Sequence, residues 1–306
     1  MRIIAYDEMN DPTGFAIMGD SAFFTPMAPH QIAVRRRSDP RYREPYGFVM
    51  IDRGRPAGFV GVIDIKVRTR TGEVVACGGI HNVMTSPSYA RRGIARHLFE
   101  HAHDHFRGLG YPFSFLGTSR SLVAWRLYDK LGYSEMPLSV KQAPSAYLVR
   151  EVRGKTPKPG RSRKPDYSAI EKLLGGFWNR RRCTFVNEAG WLEGRMKGWH
   201  DDAANIITVP GGFAYVETGK DTVRIYELVT RNARARDRIL SRIKHLNRPV
   251  IIHYSVNDPA LVEFYRDCGF SFRARGFYVM MAKALGATSL RSAFGLDFSW
   301  SPLDQF

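Results

Sequence analysis

The sequence predicts an α/β (α+β) protein made of two tandem domains, each a mixed, mostly antiparallel sheet flanked by helices. Three observations lead to this prediction. A basic segment rich in proline and glycine divides the chain into two nearly equal parts. A short pattern recurs in both parts at one offset. In the first part, the predicted strands come in succession and then alternate with helices, which is typical of a mixed sheet.

The dividing segment is residues 151–166, which contain three prolines, two glycines and almost no apolar side chain. Such a composition is typical of a linker. We therefore predict a first domain over 1–150, a linker over 151–166, a second domain over 167–285 and an apolar C-terminal tail over 286–306. The tail is expected to dock on its own protein or on a partner.

The repeat consists of an apolar run behind a proline, then a helical stretch ending in Tyr-x-x-x-Gly-aromatic. Its first copy contains Tyr128, Gly132 and Tyr133; the second contains the same pattern 137 positions later, from Tyr265 to Phe270. In each copy the glycine is expected to end a helix and the aromatic residue to begin a strand. A shared offset for several landmarks indicates an internal repeat.

In the first copy, alternation predicts a hairpin and a third strand before a helix whose apolar positions follow the helical period. A strand, a second helix and a last strand follow. The predicted ranges are 46–52, 57–67 and 78–85 for the first strands, 94–109 and 121–131 for the helices, and 111–117 and 133–139 for the later strands.

The third strand runs through a proline-marked turn into Arg91-Arg92-Gly93-Ile94-Ala95-Arg96, which opens the first helix. Free backbone N–H groups and the helix dipole favour an anion at such a position. Gly93 and Ala95 leave room for a phosphate, and arginines supply charge and paired donors. The segment predicts a pyrophosphate cradle; the alternative is an ordinary helix start with surface arginines.

The order and spacing of these elements resemble the GNAT superfamily of acyl-CoA-dependent N-acyltransferases, over residues 45–140. Ala90, Gly93 and Ala95 stand at the Gln/Arg, Gly and Gly/Ala positions of the superfamily's pyrophosphate loop, and Ala90 departs from the pattern. Within the superfamily, residues 79–96 look most like the enhanced intracellular survival acetyltransferases. Those proteins also carry a third domain, for which this chain is too short.

The resemblance implies roles for several residues. Val83, Met84 and Thr85 would pair with the pantetheine arm of acetyl-CoA, and the Thr85 amide would polarise the thioester carbonyl. Ser121, and more weakly Ser119, would contact the pantetheine amides. Tyr128 would be the general acid that protonates the leaving thiolate; the alternative is a core aromatic residue.

The general base is a separate question, since an amine acceptor must lose a proton. His81, in the strand before the cradle, titrates in a suitable range. The alternatives are that His81 is a structural histidine and that a water chain accepts the proton. No metal is expected: His97, His101 and His105 share a helix face, but no cysteine or third ligand set stands nearby.

The second copy has no glycine-rich turn near Thr230, so it is expected to be a degenerate GNAT-like domain with a structural Tyr265. The net charge of +17 favours anionic partners. Basic runs occur at 35–37 and 180–182, and one side of a helix carries Arg231, Arg234, Arg238 and Arg242. These could be solvated faces or an anion-binding surface.

Three functions remain open on the sequence. The first is transfer of an acetyl or longer acyl group to an amine of a small molecule, peptide or lysine. The second is modification of nucleic acid, and the third is acyl-CoA binding without catalysis. Three dispersed cysteines and the lack of an apolar leader or span predict a cytoplasmic protein that makes no membrane contact. A homo-oligomer is possible.

Overall fold

A computed structural model describes residues 1–24, 27–136, 146–150, 165–198, 203–244, 249–254, 259–275 and 278–304. Most of the predicted linker, 151–164, lies outside these residues. The strands of the first half are β1 (Arg2–Ala5), β2 (Gly47–Asp52), β3 (Arg55–Arg68), β4 (Val74–Thr85), β5 (Phe113–Ser119), β6 (Ser134–Met136) and β7 (Ala146–Arg150). Its helices are α1 (Pro12–Phe23), α2 (Pro29–Ser38), α3 (Ile94–Gly108) and α4 (Val123–Lys130).

The second half repeats this alternation of strands and helices. Its strands are β8 (Thr184–Val186), β9 (Ile206–Val209), β10 (Gly212–Thr218), β11 (Val223–Thr230), β12 (Val250–Tyr254), β13 (Ser271–Arg275) and β14 (Tyr278–Ala284). Its helices are α5 (Tyr167–Trp178), α6 (Trp191–Gly198), α7 (Ala233–Lys244), α8 (Pro259–Asp267) and α9 (Leu290–Phe294). The predicted α/β class with two mixed sheets is confirmed.

Two sheets contain these strands. The first has the order β1-β2-β3-β4-β5-β14-β6, with β8 paired to the C-terminal end of β3. The second has the order β13-β7-β12-β11-β10-β9. Within each sheet one pair is parallel, β4 with β5 and β11 with β12, and the other pairs are antiparallel. The repeat predicted from sequence therefore appears as two sheets of corresponding order.

The two halves exchange strands. β7, from the end of the first half, lies between β12 and β13, and β14, from the end of the second half, lies between β5 and β6. The boundaries 1–150 and 167–285 stay a prediction; the first sheet takes β8 and β14 from the second half of the chain, and the second sheet takes β7 from the first half. The physical reason is that an inserted strand satisfies the backbone groups of both neighbours, whichever part of the chain supplies it.

The first sheet is covered on both faces, because neighbouring side chains of a strand point to opposite sides. On β3, Val62 joins the core under α3 and α4, whereas Ile63 joins the core under α1 and α2. The C-terminal tail closes the second of these cores with Phe294 and Phe298, which are fully buried, and reaches the core of the second sheet with Leu303. The tail thus docks on its own chain.

The repeated helix end has the same geometry in both copies. The Tyr133 amide donates to the Tyr128 carbonyl at 3.0 Å, and the Phe270 amide donates to the Tyr265 carbonyl at 3.1 Å. The glycine before each aromatic residue has φ near +80° (Gly132, +86°; Gly269, +82°). These are the contacts of a Schellman helix end, in which the left-handed residue is usually glycine. No helix within the described ranges is long and apolar enough to cross a bilayer.

Candidate active site

A cleft begins where β4 and β5 stop pairing. Their parallel pairing covers only Gly78–Ile80 of β4 against Ser114–Leu116 of β5. Immediately afterwards β4 has a bulge, with a register shift against β3 and a positive φ of +48° at Asn82. A bulge bends and twists its strand. The edge of β4 that faces β5 is therefore left without a backbone partner over its last residues, among those described.

The amide of Thr85 points to this open edge. The Ser86 amide donates to the Ala57 carbonyl at 3.0 Å, which makes Ser86 and Ala57 a hydrogen-bonded pair. In an antiparallel ladder, hydrogen-bonded and non-hydrogen-bonded pairs alternate. Thr85, which opposes Gly58 on β3, is therefore a non-bonded pair, and its N–H faces away from β3. Val83 and Thr85 are partly exposed and Met84 is buried.

The start of α3 lies just after the end of this strand and has no side-chain cap. Its N-cap residue, Gly93, has φ of +76°, and no side chain of the described residues forms a cap hydrogen bond there. Arg91 is also left-handed, with φ of +63°. The amides of Ile94, Ala95 and Arg96 are consequently available to an external acceptor, since the first turn of a helix has no internal acceptors.

Arginines surround this helix start. Arg91, Arg92 and Arg96 are exposed, and none of them forms an ion pair with a carboxylate of the described residues. The guanidinium of Arg92 lies 5.3 Å from the centre of the Tyr89 ring, and the Tyr89 hydroxyl donates to Asp52 at 3.0 Å. A cation held in this way loses less freedom when it meets an anion.

The equivalent place in the second copy is different. Residues 86–93 separate β4 from α3, whereas only 231–232 separate β11 from α7. Asn232 accepts a hydrogen bond from the Ala235 amide at 2.9 Å and so caps its own helix. The second copy thus has neither the length of loop nor the free amides that the first copy offers to an anion.

Tyr128 lies on α4, packed between the sheet and α3. Its side chain is 6% exposed, and its ring centre lies 5.5 Å from that of Phe99. No hydrogen bond to its hydroxyl is found within the described residues, and burial raises its pKa to about 12. The phenol is therefore protonated at neutral pH and is able to donate a proton.

Ser119 and Ser121 lie between the end of β5 and the start of α4. Their hydroxyl oxygens are 2.8 Å apart. Ser119 is 8% exposed, while Ser121 is open to solvent. The two predicted contact residues are thus brought together at the mouth of the cleft, where their hydroxyls contact each other.

His81 is buried on the other face of the sheet, 2% exposed. Its Nε2 lies 3.3 Å from the Val62 carbonyl oxygen, and its ring fills the space beside Gly61, where a Cβ would stand 2.3 Å from the ring. Burial, together with the positive charge of Arg35, lowers its pKa to about 3. The imidazole is neutral at pH 7 and is a weak base. Its role as the general base stays a prediction.

A buried polar cluster around His81 was not predicted from the sequence. The Tyr42 and Tyr46 rings lie 5.3 Å and 5.0 Å from that of His81, and the bulge residue Asn82 is adjacent. The His81 Nδ1, the Asn82 amide nitrogen and the Tyr42 hydroxyl are buried without a hydrogen-bond partner among the described residues. In the sequence, the only sign of this cluster is that aromatic residues stand before a strand. That pattern is too common to identify a buried polar cluster.

The comparison with known families identifies this half of the chain. Residues 14–136 match the family model described as an acetyltransferase (GNAT) domain. Residues 14–136 are a GNAT acetyltransferase domain. No curated protein sequence matches the chain.

Several solved structures share the fold of this chain over nearly its whole length, including both sheets. A GCN5-related N-acetyltransferase from Kribbella flavida aligns with 17% identity and a TM-score of 0.65 over 93% of this chain and 72% of its own. Eis1 from Mycobacterium abscessus aligns with 14% identity and a TM-score of 0.61, over 98% and 84% of the two chains. N-myristoyltransferase from Saccharomyces cerevisiae, solved with myristoyl-CoA, aligns with 10% identity and a TM-score of 0.57, over 97% and 84%.

The GNAT domain thus contains the open edge of β4, the uncapped start of α3, and Tyr128. The histidines at 97, 101 and 105 form no metal-binding group with other described residues. His101 and His105 instead pack their rings against Phe48, with centres 4.5 Å and 5.4 Å away.

Proposed function

We propose that the GNAT domain transfers an acetyl group from acetyl-CoA directly to a primary amine, with both bound at once. The observation that carries this proposal is the uncapped start of α3 beside the open edge of β4. A ligand that carries both a diphosphate and an extended chain of amides needs these two features together. Its diphosphate would bind at the helix start, and its amides would pair with the strand edge. The resemblance to N-acyltransferases, and the family match, favour an acyl-CoA as the ligand with that shape.

The binding residues would act through backbone more than through side chains. The amides of Ile94, Ala95 and Arg96 would hold the pyrophosphate, and Arg91 and Arg92 would add charge from the loop before them. The fit is favourable because a helix start without its own cap retains unsatisfied donors. Val83 and Thr85 would pair with the pantetheine, and Ser119 and Ser121 would bind its amides from the side of β5.

The reaction forms a carbon–nitrogen bond and breaks the carbon–sulfur bond of the thioester. The Thr85 amide would stabilise the negative charge that develops on the carbonyl oxygen. The Tyr128 hydroxyl would give its proton to the departing sulfur, and the phenolate would regain a proton from solvent. The attacking amine loses a proton to His81 or to a water chain; the burial and low pKa of His81 favour a water chain that carries the proton to solvent.

A thiol-release screen tests this function. The purified protein is incubated with acetyl-CoA and, separately, with small primary amines and lysine-containing peptides, and the acetylated product is identified by mass. We expect thiol release that depends on an amine and is lost when Tyr128 is replaced by Phe. Tight acetyl-CoA binding with no transfer to any amine would instead indicate a binding module.

A further inference from the structure

A cavity of about 760 Å³ opens at the carboxyl end of β11, between that strand and α5. It lies at the end of the second sheet that corresponds to the acetyl-CoA end of the first. Among the described residues that line it, four are cationic and none is acidic: Lys172, Arg180, Arg181 and Arg231. Two basic runs that are far apart in the sequence therefore meet in one concave site.

Three of the four cations in this cavity have no ion-pair partner among the described residues. Lys172, Arg180 and Arg231 are exposed, and no carboxylate of the described residues forms an ion pair with them. Arg181 is held in place: its guanidinium lies 4.2 Å from the centre of the Phe177 ring and donates to the Phe177 carbonyl at 2.6 Å. Uncompensated cations within a concavity concentrate positive potential and attract anions.

The positive surface continues from the cavity along α7. Arg234, Arg238 and Arg242 are exposed on one side of that helix, whereas Ala235 and Ile239 pack into the core. Successive arginines four residues apart are about 6 Å apart along a helix axis. The acidic residue of α7, Asp237, pairs with Arg236 at 3.3 Å, and no carboxylate within the described ranges forms an ion pair with the row. A regular row of cations suits a polymer with regularly spaced negative charges.

Acyl-CoA does not account for this site. Asn232 caps α7, and the loop that would cradle a pyrophosphate is missing. The cavity instead adds a planar surface to its charges, since the Arg181 guanidinium lies over the Phe177 ring. Cations along a groove together with an aromatic stacking surface are the features by which proteins bind single-stranded nucleic acid, whose bases are free to stack.

We propose that the second domain binds single-stranded nucleic acid, with phosphates along Arg231, Arg234 and Arg238 and a base against the Phe177–Arg181 stack. This is independent of acetyl transfer by the GNAT domain, because the residues involved lie outside its site. The cavity contributes Lys172 and Arg180 as further phosphate contacts. A duplex would present fewer free bases to the stack and is expected to bind less tightly.

The test measures anisotropy of labelled single-stranded RNA and DNA of about 20 nucleotides as salt is raised from about 25 to about 300 mM. The wild-type protein is compared with the triple variant Arg231→Glu, Arg234→Glu, Arg238→Glu. The matched control is Arg2→Glu, Arg37→Glu, Arg291→Glu, which changes the net charge equally at three exposed arginines elsewhere. A duplex and vesicles containing phosphatidylserine are separate arms.

With five to seven phosphate contacts, the plot of log affinity against log salt should have a slope of about −4, and the triple variant should reduce that slope by about 2. The control should bind like the wild type, and all proteins should bind acetyl-CoA equally. An equal loss in the control would overturn the proposal, since only net charge would matter. So would an absence of strand binding at low salt, tighter binding of the duplex, or binding to vesicles alone.

Discussion

Replacing Tyr128 by Phe tests the chemical step of the GNAT domain. The change removes one oxygen and keeps a ring that packs against Phe99. The hydroxyl has no hydrogen-bond partner within the described residues, so its loss should alter the free energy of unfolding by less than about 1 kcal/mol. Because the pKa is raised to about 12 by burial, the wild-type phenol is fully protonated in any ordinary assay.

The expected effect on turnover is large. A positioned general acid contributes roughly 10²–10⁴-fold, which corresponds to about 3–5 kcal/mol of transition-state stabilisation. The affinity for acetyl-CoA should change by less than about twofold, because the proton is needed only as the thiolate leaves. The assay is steady-state thiol release with an accepted amine, together with calorimetric titration of acetyl-CoA and thermal melting.

The second copy supplies the matched control. Tyr265 occupies the same place in its repeat and is 1% exposed, but the helix that follows β11 in its domain is capped by Asn232. Tyr265→Phe should leave turnover within a few-fold of the wild type, with a loss of stability of about 1 kcal/mol. Wild-type turnover in Tyr128→Phe would refute the assignment of the acid. Loss of turnover in Tyr265→Phe, with Tyr128→Phe still active, would show that the roles of the domains are reversed.

Four further predictions follow from the same geometry. Gly93→Asp should weaken acetyl-CoA binding by roughly 100-fold or more in calorimetry, because its carboxylate would cap α3 and repel phosphate. Gly93→Asn, which caps the helix without adding charge, should bind acetyl-CoA more tightly than Gly93→Asp. An equal loss of affinity in both variants would exclude repulsion as the cause. In a denaturant titration, Gly194→Ala should lower the free energy of unfolding by about 1–3 kcal/mol, because the added Cβ would stand 2.0 Å from the Ser38 carbonyl oxygen. Gly176→Ala, whose added Cβ would meet no neighbouring side chain of the described residues within 4 Å, should be neutral or stabilising in the same titration. The value of kcat/KM should rise with pH as the acceptor amine loses its proton and should not fall before about pH 10, because the pKa of Tyr128 is about 12; a falling limb near pH 8 would point to another acid. Burial lowers the pKa of both His81 and His103 to about 3, so the stability that they contribute is present above the pKa of about 6.5 that they have in the unfolded chain and is lost as pH falls below it, by up to about 2 kcal/mol each at pH 5. Urea unfolding at pH 7 and pH 5 should show this loss, and His103→Phe should remove part of it. Equal free energies of unfolding at the two pH values would contradict the prediction.

Local signals in the sequence account for the elements of the first copy. The predicted strands 46–52 and 57–67 appear as β2 and β3, and the predicted helix 94–109 appears as α3. Each of these elements follows from the spacing of its apolar residues, and that spacing involves only residues close together in the chain. The helix start at Gly93 was found for the same reason, because a glycine and three arginines near one turn are a local pattern.

The environment of His81 was not predictable in this way. The sequence places it on a strand before the cradle, but its low pKa arises from burial, to which the Tyr42 and Tyr46 rings contribute, and from the charge of Arg35. Burial is a property of the whole packed core, and a single strand does not report which of its faces is covered more deeply. The meeting of Arg180 and Arg231 in one cavity likewise required the fold.

What the sequence by itself determined is therefore the repeat, the helix ends at Gly132 and Gly269, and the helix start at Gly93 that we propose as the anion site. Only the tertiary structure decided that β7 and β14 change places between the sheets. Both are short apolar strands, and nothing in their own residues states which sheet they join. Strand insertion is decided by which edges lie open and by the loops that can reach them, so it depends on contacts far apart in the chain.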